Sequence, residues 1–102
     1  MIPLFKIYND KSDISAIEKV VKSGMFWATG DEISQFESKI SQYIGTKYST
    51  VMNSGTSALV AALIACDIGE GDEVIVPSFT FIATAFAVSA VGGIPIFTDI
   101  EA

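Results

Sequence analysis

The sequence predicts an α/β fold in which a parallel sheet is preceded by two amphipathic helices, and three observations support this. From residue 48 onward, segments typical of strands alternate with segments typical of helices, in the order β-α-β-α-β. The strand segments are short apolar runs, and the helix segments are apolar on nearly all sides. Such alternation is characteristic of parallel sheets with right-handed crossovers, and continuous apolarity indicates layers that are covered on both faces.

The two amphipathic helices lie in the first half of the chain. Ser12 or Asp13 is expected to cap the first helix, and Gly24 and Gly45 suit the left-handed position that follows each helix. Apolar side chains recur at helical spacing in both segments: Ile14, Ile17, Val20 and Val21 in the first, and Ile33, Phe36, Ile40, Tyr43 and Ile44 in the second.

The second half of the chain carries the sheet. Three strands and two helices are expected, in chain order at residues 48–52, 56–66, 74–76, 80–91 and 94–97. This set is too small to cover its own apolar faces, so we expect that the chain is truncated or that another chain completes the sheet. The sequence thus divides into an amino-terminal helical segment, residues 1–47, and an incomplete α/β domain, residues 48–102.

Composition bounds the class of protein. Half of the 102 residues are hydrophobic, but the longest unbroken apolar run is nine residues, whereas a membrane-spanning helix needs about 20. The first residues lack the basic and long apolar regions of a signal peptide. The single cysteine, Cys66, lies within the apolar run and is interpreted as a core residue, which fits a reducing compartment. We therefore expect a cytoplasmic protein without a membrane anchor.

Charge and side-chain chemistry argue against two further classes. The chain has six lysines but neither arginine nor histidine, and the whole formal net charge of −6 lies in residues 51–102. Nucleic-acid binding requires clustered basic residues, so no nucleic-acid partner is expected. The lack of histidine argues against the common metal sites and against histidine-based acid–base catalysis, and no metal is expected.

The strongest site signal joins the first predicted strand to the helix after it, at Asn53-Ser54-Gly55-Thr56-Ser57. The N-terminus of a helix presents unpaired N–H groups and a partial positive charge, Gly55 permits close approach of a ligand, and Thr56 and Ser57 add hydroxyl groups. These features suit a phosphate site, although neither the P-loop nor the dinucleotide-binding motif is present. Spacing alone leaves a second interpretation open, in which the segment is a helix cap without a ligand.

A second signal lies at the end of the next predicted strand, at residues 76–81. Two aromatic rings and two hydroxyl groups follow Pro77 there, and ligands of open parallel sheets bind beyond the carboxyl ends of the strands. An aromatic ring at this edge is suited to stacking on a planar cofactor. Packing in the core is the alternative role, and the pattern alone does not decide between the two.

Three longer motifs extend these signals: Asn-Ser-Gly-Thr-Ser-Ala-Leu at residues 53–59, Gly-x-Gly-Asp-Glu-Val-Ile-Val-Pro-Ser-Phe-Thr-Phe at 69–81 and Gly-x-Pro-Ile-Phe-x-Asp at 93–99. Their order and spacing closely resemble the amino-terminal part of the DegT/StrS-type sugar aminotransferases, which are fold-type-I enzymes dependent on pyridoxal 5′-phosphate (PLP). Earlier segments are similar as well, among them Ile2-Pro3-Leu4, Val21-Lys22-Ser23-Gly24, Thr29-Gly30 and Phe36-Glu37. The resemblance covers essentially the whole chain.

The resemblance implies that PLP is the cofactor. In the family, the loop matching Gly55, Thr56 and Ser57 binds the PLP phosphate through backbone N–H groups and a hydroxyl. The aromatic residue matching Phe81 lies against the pyridine ring. Both roles agree with the physical interpretation of the two site signals.

The resemblance also implies a substrate. The segment of Trp27, Thr29 and Gly30 lies near the mouth of the active site in relatives, which implies substrate contact. For Trp27, packing in the core or in an interface is an equally open alternative. The implied substrate is a nucleotide-linked keto sugar, with an amino acid such as glutamate or glutamine as donor, in polysaccharide or amino-sugar biosynthesis.

The implied reaction requires a lysine that forms a Schiff base with PLP and a carboxylate that keeps the pyridine nitrogen protonated. None of the six lysines falls at the motif position of the family, and Asp99 does not match the carboxylate. We therefore assign no catalytic residue within the chain and expect the 102 residues alone to be inactive. Full-length relatives are dimers with shared active sites, which implies a homo-oligomer.

Two other functions stay open at this point. One is a non-catalytic module that binds PLP or another phosphate, and the other is a structural fragment without activity of its own. Binding of PLP or a sugar nucleotide without turnover would favour the first. The second predicts self-association through exposed apolar helices, and a well-behaved monomer would count against the expectation of an incomplete sheet.

Overall fold

The computed structural model describes residues 5–24 and 30–99, which form four helices and two strands. In chain order these are α1 Lys11–Ser23, α2 Asp31–Ile44, α3 Gly55–Ala65, β1 Glu73–Pro77, α4 Ala83–Ala90 and β2 Ile94–Thr98. The chain has two compact units, Met1–Ser49 with α1 and α2, and Thr50–Ala102 with the other elements. None of the described helices has the length and apolar character needed to cross a membrane.

The cap of α1 is Asp10, so the prediction of Ser12 or Asp13 was wrong. The Asp10 carboxylate accepts a hydrogen bond from the Asp13 N–H at 3.4 Å, and the Asp13 carboxylate accepts one from the Asp10 N–H at 2.9 Å. This reciprocal capping box stabilises the start of the helix because it gives hydrogen-bond acceptors to the N–H groups of both Asp10 and Asp13. Gly24 ends the helix with φ of 66°, as predicted.

Helix α2 begins without a side-chain cap. Its N-cap is Gly30, whose backbone is extended, and Asp31 and Glu32 instead place negative charge at the positive end of the helix dipole. Gly45 ends the helix with φ of 81°, and its N–H donates to the Ser41 carbonyl at 2.9 Å. This confirms the predicted left-handed glycine after the second helix.

Residues 48–52 were predicted to form a strand, and this prediction was wrong because the segment has no regular secondary structure. Ser49 lies against α2, where its hydroxyl donates to the Glu37 carbonyl and accepts a hydrogen bond from the Ser41 hydroxyl at 3.0 Å. A strand requires a neighbour with free backbone groups. Within the described residues, β1 and β2 pair only with each other.

Strands β1 and β2 are parallel, with Ile75 opposite Ile96 and Val76 opposite Phe97. Helix α4 connects them and packs against both strands and against α3. The predicted α/β class with a parallel sheet is confirmed. The buried apolar core of the described residues lies entirely in the second compact unit, Thr50–Ala102, and consists of Val76, Ala85, Ala87 and Val88.

Helix α3 is apolar on nearly every side and was expected to be covered all round. Among the described residues it packs against α4, yet none of its side chains is buried. Cys66, interpreted as a core residue, is exposed because it follows the last turn of α3 as its C-cap. The described residues therefore cover α3 on one side only.

Replacement of Val88 by alanine should destabilise the second unit. The side chain is 2% exposed, and its truncation leaves a cavity, so we expect the free energy of unfolding to fall by about 1–3 kcal/mol. Ser89→Ala is the matched control because Ser89 is exposed, and its change should stay within about 0.5 kcal/mol. Urea unfolding followed by circular dichroism measures both variants, and equal stabilities would contradict the assignment of the core.

The cap of α1 should weaken at acid pH. Hydrogen bonds from the Ser12 hydroxyl, the Ser12 N–H and the Asp13 N–H lower the pKa of Asp10 from its ordinary value of 3.8. Because the charged carboxylate accepts these bonds, their stabilising effect is complete above about pH 4 and is lost as the pH falls through the lowered pKa. The Ser12 amide chemical shift, followed by NMR, should report this loss.

Asp10→Asn provides the control for this pH dependence. Asparagine keeps an acceptor at the N-cap but does not titrate, so the Ser12 amide shift should lose most of its change at acid pH. An unchanged titration of that amide in the variant would show that another group causes it.

Candidate functional site

Helix α3 begins at a serine cap that leaves backbone donors at its first turn. The Ser54 hydroxyl accepts a hydrogen bond from the Ser57 N–H at 3.1 Å, and the Ser54 carbonyl accepts one from the Ala58 N–H at 3.1 Å. Gly55 and Thr56 occupy the first two helical positions, whose N–H groups have no carbonyl partner within the helix. The cap thus stabilises the helix and still presents two donors at its positive end.

Gly55 has no structural requirement for glycine among the described residues. It lies within the helix, and it is not among the described glycines with positive φ. A Cβ built at this position meets no heavy atom within 4 Å. The space above the first turn of α3 is therefore open, as the sequence-based prediction of close ligand approach requires.

A concavity of about 570 Å³ joins the first turn of α3 to the start of α4. It brings Phe81 next to Gly55 and Thr56, although Phe81 is distant from both in the sequence. The Phe81 side chain is 77% exposed, so the described residues do not bury its ring. The complete lining consists of Gly55, Thr56, Ala58, Leu59, Phe81, Ala83 and Thr84.

The loop between β1 and α4 determines where Phe81 lies. At the start of this loop, the Ser78 N–H donates to the Thr98 carbonyl at 2.8 Å, which ties the loop to the end of β2. At the other end, the Thr84 N–H donates to the Phe81 carbonyl at 3.1 Å. The hydroxyls of Thr80 and Thr84 are 3.0 Å apart. Sequence reasoning assigned no role to Thr84, although a Thr-x-x-x-Thr spacing was visible there.

The remaining predicted site residues are Ser57, Trp27, Thr29 and Gly30. Ser57 does not line the concavity, and its hydroxyl lies 3.0 Å from the Ser54 hydroxyl. Trp27 and Thr29 fall outside the described residues. Gly30 caps α2 in the other compact unit. The structure therefore brings together Gly55, Thr56 and Phe81 from the predicted set.

The site residues fit a ligand that combines a phosphate group with an aromatic ring. Residues 50–102 contain no lysine or arginine, so this unit offers an anion only N–H groups, hydroxyls and the helix dipole. The N–H groups of Gly55 and Thr56 and the Thr56 hydroxyl supply such donors. The exposed ring of Phe81 supplies a flat apolar surface for a planar ring.

Comparison with known proteins finds similarity to a family of aminotransferases. The family model described as the DegT/DnrJ/EryC1/StrS aminotransferase family matches residues 8–102. GDP-perosamine synthase of Vibrio cholerae is 34% identical over 101 residues, which is 99% of this chain and 28% of that protein. The dTDP-3-amino-3,6-dideoxy-alpha-D-galactopyranose transaminase of Aneurinibacillus thermoaerophilus is 43% identical over 84 residues, 82% of this chain and 23% of that protein.

The fold of this chain is also similar to that of a solved structure. The Streptococcus pneumoniae protein Spr1654 in its PLP form superposes with a TM-score of 0.90 at 32% identity, over 98% of this chain and 25% of that chain. The present chain thus spans about a quarter of the length of the relatives it matches.

Proposed function

This chain belongs to the DegT/DnrJ/EryC1/StrS aminotransferase family, and we propose that it contributes the cofactor-phosphate part of a PLP-dependent sugar aminotransferase. The observation that carries this proposal is the shared concavity of the α3 N-terminus and Phe81. The PLP form of Spr1654 supports the choice of cofactor. The names of the Vibrio and Aneurinibacillus relatives support a nucleotide-linked keto sugar as the acceptor of the amino group.

The proposed role of the α3 N-terminus is to hold the PLP phosphate. The N–H groups of Gly55 and Thr56 and the Thr56 hydroxyl donate hydrogen bonds to it, and the helix dipole favours its negative charge. The Ser57 hydroxyl is a further proposed donor, and it reaches the phosphate by giving up its contact with the Ser54 hydroxyl. The open space over Gly55 supports this arrangement because a Cβ built there meets no described heavy atom within 4 Å.

The proposed role of Phe81 is to orient the cofactor ring. A ring placed against the exposed Phe81 face is restricted in tilt, and it is removed from water on that side. When bound, PLP supplies the electron sink that amino transfer requires. The residues of this unit hold and orient the cofactor, and we assign none of them a proton-transfer step.

The substrate contacts and the cellular setting are also proposals. Trp27, Thr29 and Gly30 are proposed to contact the sugar nucleotide, by resemblance to the family. An amino acid is proposed as the donor of the amino group. The protein is proposed to act in the cytoplasm as a homo-oligomer in polysaccharide or amino-sugar biosynthesis, which is consistent with its single cysteine.

Gly55→Ala should weaken PLP binding without loss of the fold. The added methyl group meets no described heavy atom within 4 Å, and alanine is compatible with the helical backbone at this position. The methyl group would occupy the space through which the phosphate reaches the N–H groups, and we expect the Kd for PLP to rise about tenfold or more. Equilibrium dialysis with PLP measures the affinity, and circular dichroism checks the fold.

Gly69→Ala is the matched control for this experiment. A Cβ at Gly69 makes only an ordinary contact, 3.9 Å from the Val91 carbonyl oxygen, and Gly69 does not line the concavity. Its affinity for PLP should equal that of the unaltered chain. Equal affinities of all three proteins would show that the phosphate does not bind at α3.

We further propose that none of the six lysines in this chain holds the cofactor covalently. Residues 50–102, which include the concavity, contain no lysine. Borohydride treatment of the PLP-saturated chain, followed by peptide mass spectrometry, should therefore find no lysine modified in stoichiometric yield. A single lysine modified in full, with the modification lost on its replacement by arginine, would contradict this proposal.

A further inference from the structure

Two threonine hydroxyls connect the β1–α4 loop to the first turn of α4. The Thr80 and Thr84 hydroxyl oxygens are 3.0 Å apart, within hydrogen-bonding distance, and we refer to them as the Thr80–Thr84 hydroxyl pair. Thr80 lies immediately before Phe81 and is exposed, whereas Thr84 lies on α4 and is half-buried. Thr84 also lines the concavity that contains Phe81.

The hydroxyl pair acts together with a backbone hydrogen bond. The Thr84 N–H donates to the Phe81 carbonyl at 3.1 Å, so Thr84 contacts the loop on both sides of the Phe81 Cα. The Phe81 ring itself is largely exposed, and packing therefore contributes little to holding it in place. The position of the ring depends on its backbone, and Thr84 contacts the Phe81 carbonyl directly and the neighbouring residue Thr80 through its hydroxyl.

We propose that the Thr80–Thr84 hydroxyl pair is a positioning device that holds Phe81 at the wall of the concavity, an inference that rests on the proposed PLP site. A ring held in place before binding loses less conformational freedom when a planar ligand stacks on it. The pair therefore raises affinity for ligands with an aromatic ring. It has no corresponding effect on an anion that binds only at the α3 N-terminus.

Affinities for PLP and for inorganic phosphate separate these two effects. In Thr84→Val and Thr80→Val, which remove one hydroxyl each, we expect the Kd for PLP to rise about three- to tenfold, the loss of one hydrogen bond. The Kd for inorganic phosphate should not change. Thr84→Ser and Thr80→Ser keep the hydroxyl and should bind PLP like the unaltered protein.

Ser89→Ala is the control for loss of a hydroxyl from α4, because Ser89 lies in the last turn of the helix and outside the concavity. It should leave both affinities unchanged. Thr80 is exposed, so Thr80→Val tests the pair even if Thr84→Val disturbs the packing of α4. Amide hydrogen exchange in β1 and β2 establishes that each variant is folded.

A double-mutant cycle with Phe81→Leu tests whether the pair acts through Phe81. If it does, Thr84→Val has no further effect on the Kd for PLP once the aromatic ring is gone. If Thr84→Val weakens PLP binding equally in both backgrounds, Thr84 contacts the ligand directly and the positioning role is refuted. PLP affinity equal to that of the unaltered protein in both valine variants also refutes it.

A different result would refute the proposed function itself. If the unaltered protein, in its folded state, binds neither PLP nor inorganic phosphate, the site at α3 is refuted and the inference about Phe81 falls with it. If the unaltered protein binds PLP and the valine variants bind it equally well, only the positioning role is lost.

Discussion

Parallel pairing of β1 with β2 is the constraint on which the second unit depends. Two parallel strands cannot be joined by a tight turn, so the chain must leave the end of β1 and return along the sheet before β2 begins. Helix α4 makes that return, and its Ala85, Ala87 and Val88 side chains form most of the buried core. The loop between β1 and α4 consequently lies at the carboxyl edge of the sheet, and Phe81 lies there with it.

The N-terminus of α3 has a structural role as a capped helix start and, in our proposal, a binding role. A helix cap and a phosphate site are alternatives only if they require the same N–H groups. The Ser54 hydroxyl accepts a hydrogen bond from the third N–H, that of Ser57, whereas the N–H groups of Gly55 and Thr56 have no carbonyl partner within the helix. The two interpretations that the sequence left open are therefore compatible.

Local patterns predicted the elements whose stability is local or whose partners lie nearby. The helical spacing of apolar residues, Gly24 and Gly45 were sufficient for α1 and α2, because caps and terminators act within a few residues. The β-branched run before Pro77 predicted β1. By contrast, residues 48–52 have a strand-like sequence but are not part of the β1–β2 sheet, and backbone pairing is not visible in local sequence. Cys66 was assigned to the core from its apolar neighbours, yet burial depends on which element packs over it.

For the site, the sequence by itself determined the types of donor available: a glycine and hydroxyls at a helix start, an aromatic ring after the next strand, and no cation in the second half of the chain. Only the tertiary structure decided that Gly55, Thr56 and Phe81 share one concavity, that the Ser57 hydroxyl lies near that of Ser54, and that Thr84 contacts Thr80 and Phe81. The physical reason is that residue chemistry is a local property of the chain. Proximity between α3 and α4 arises from the crossover that a parallel sheet imposes and from the packing of the two helices against each other.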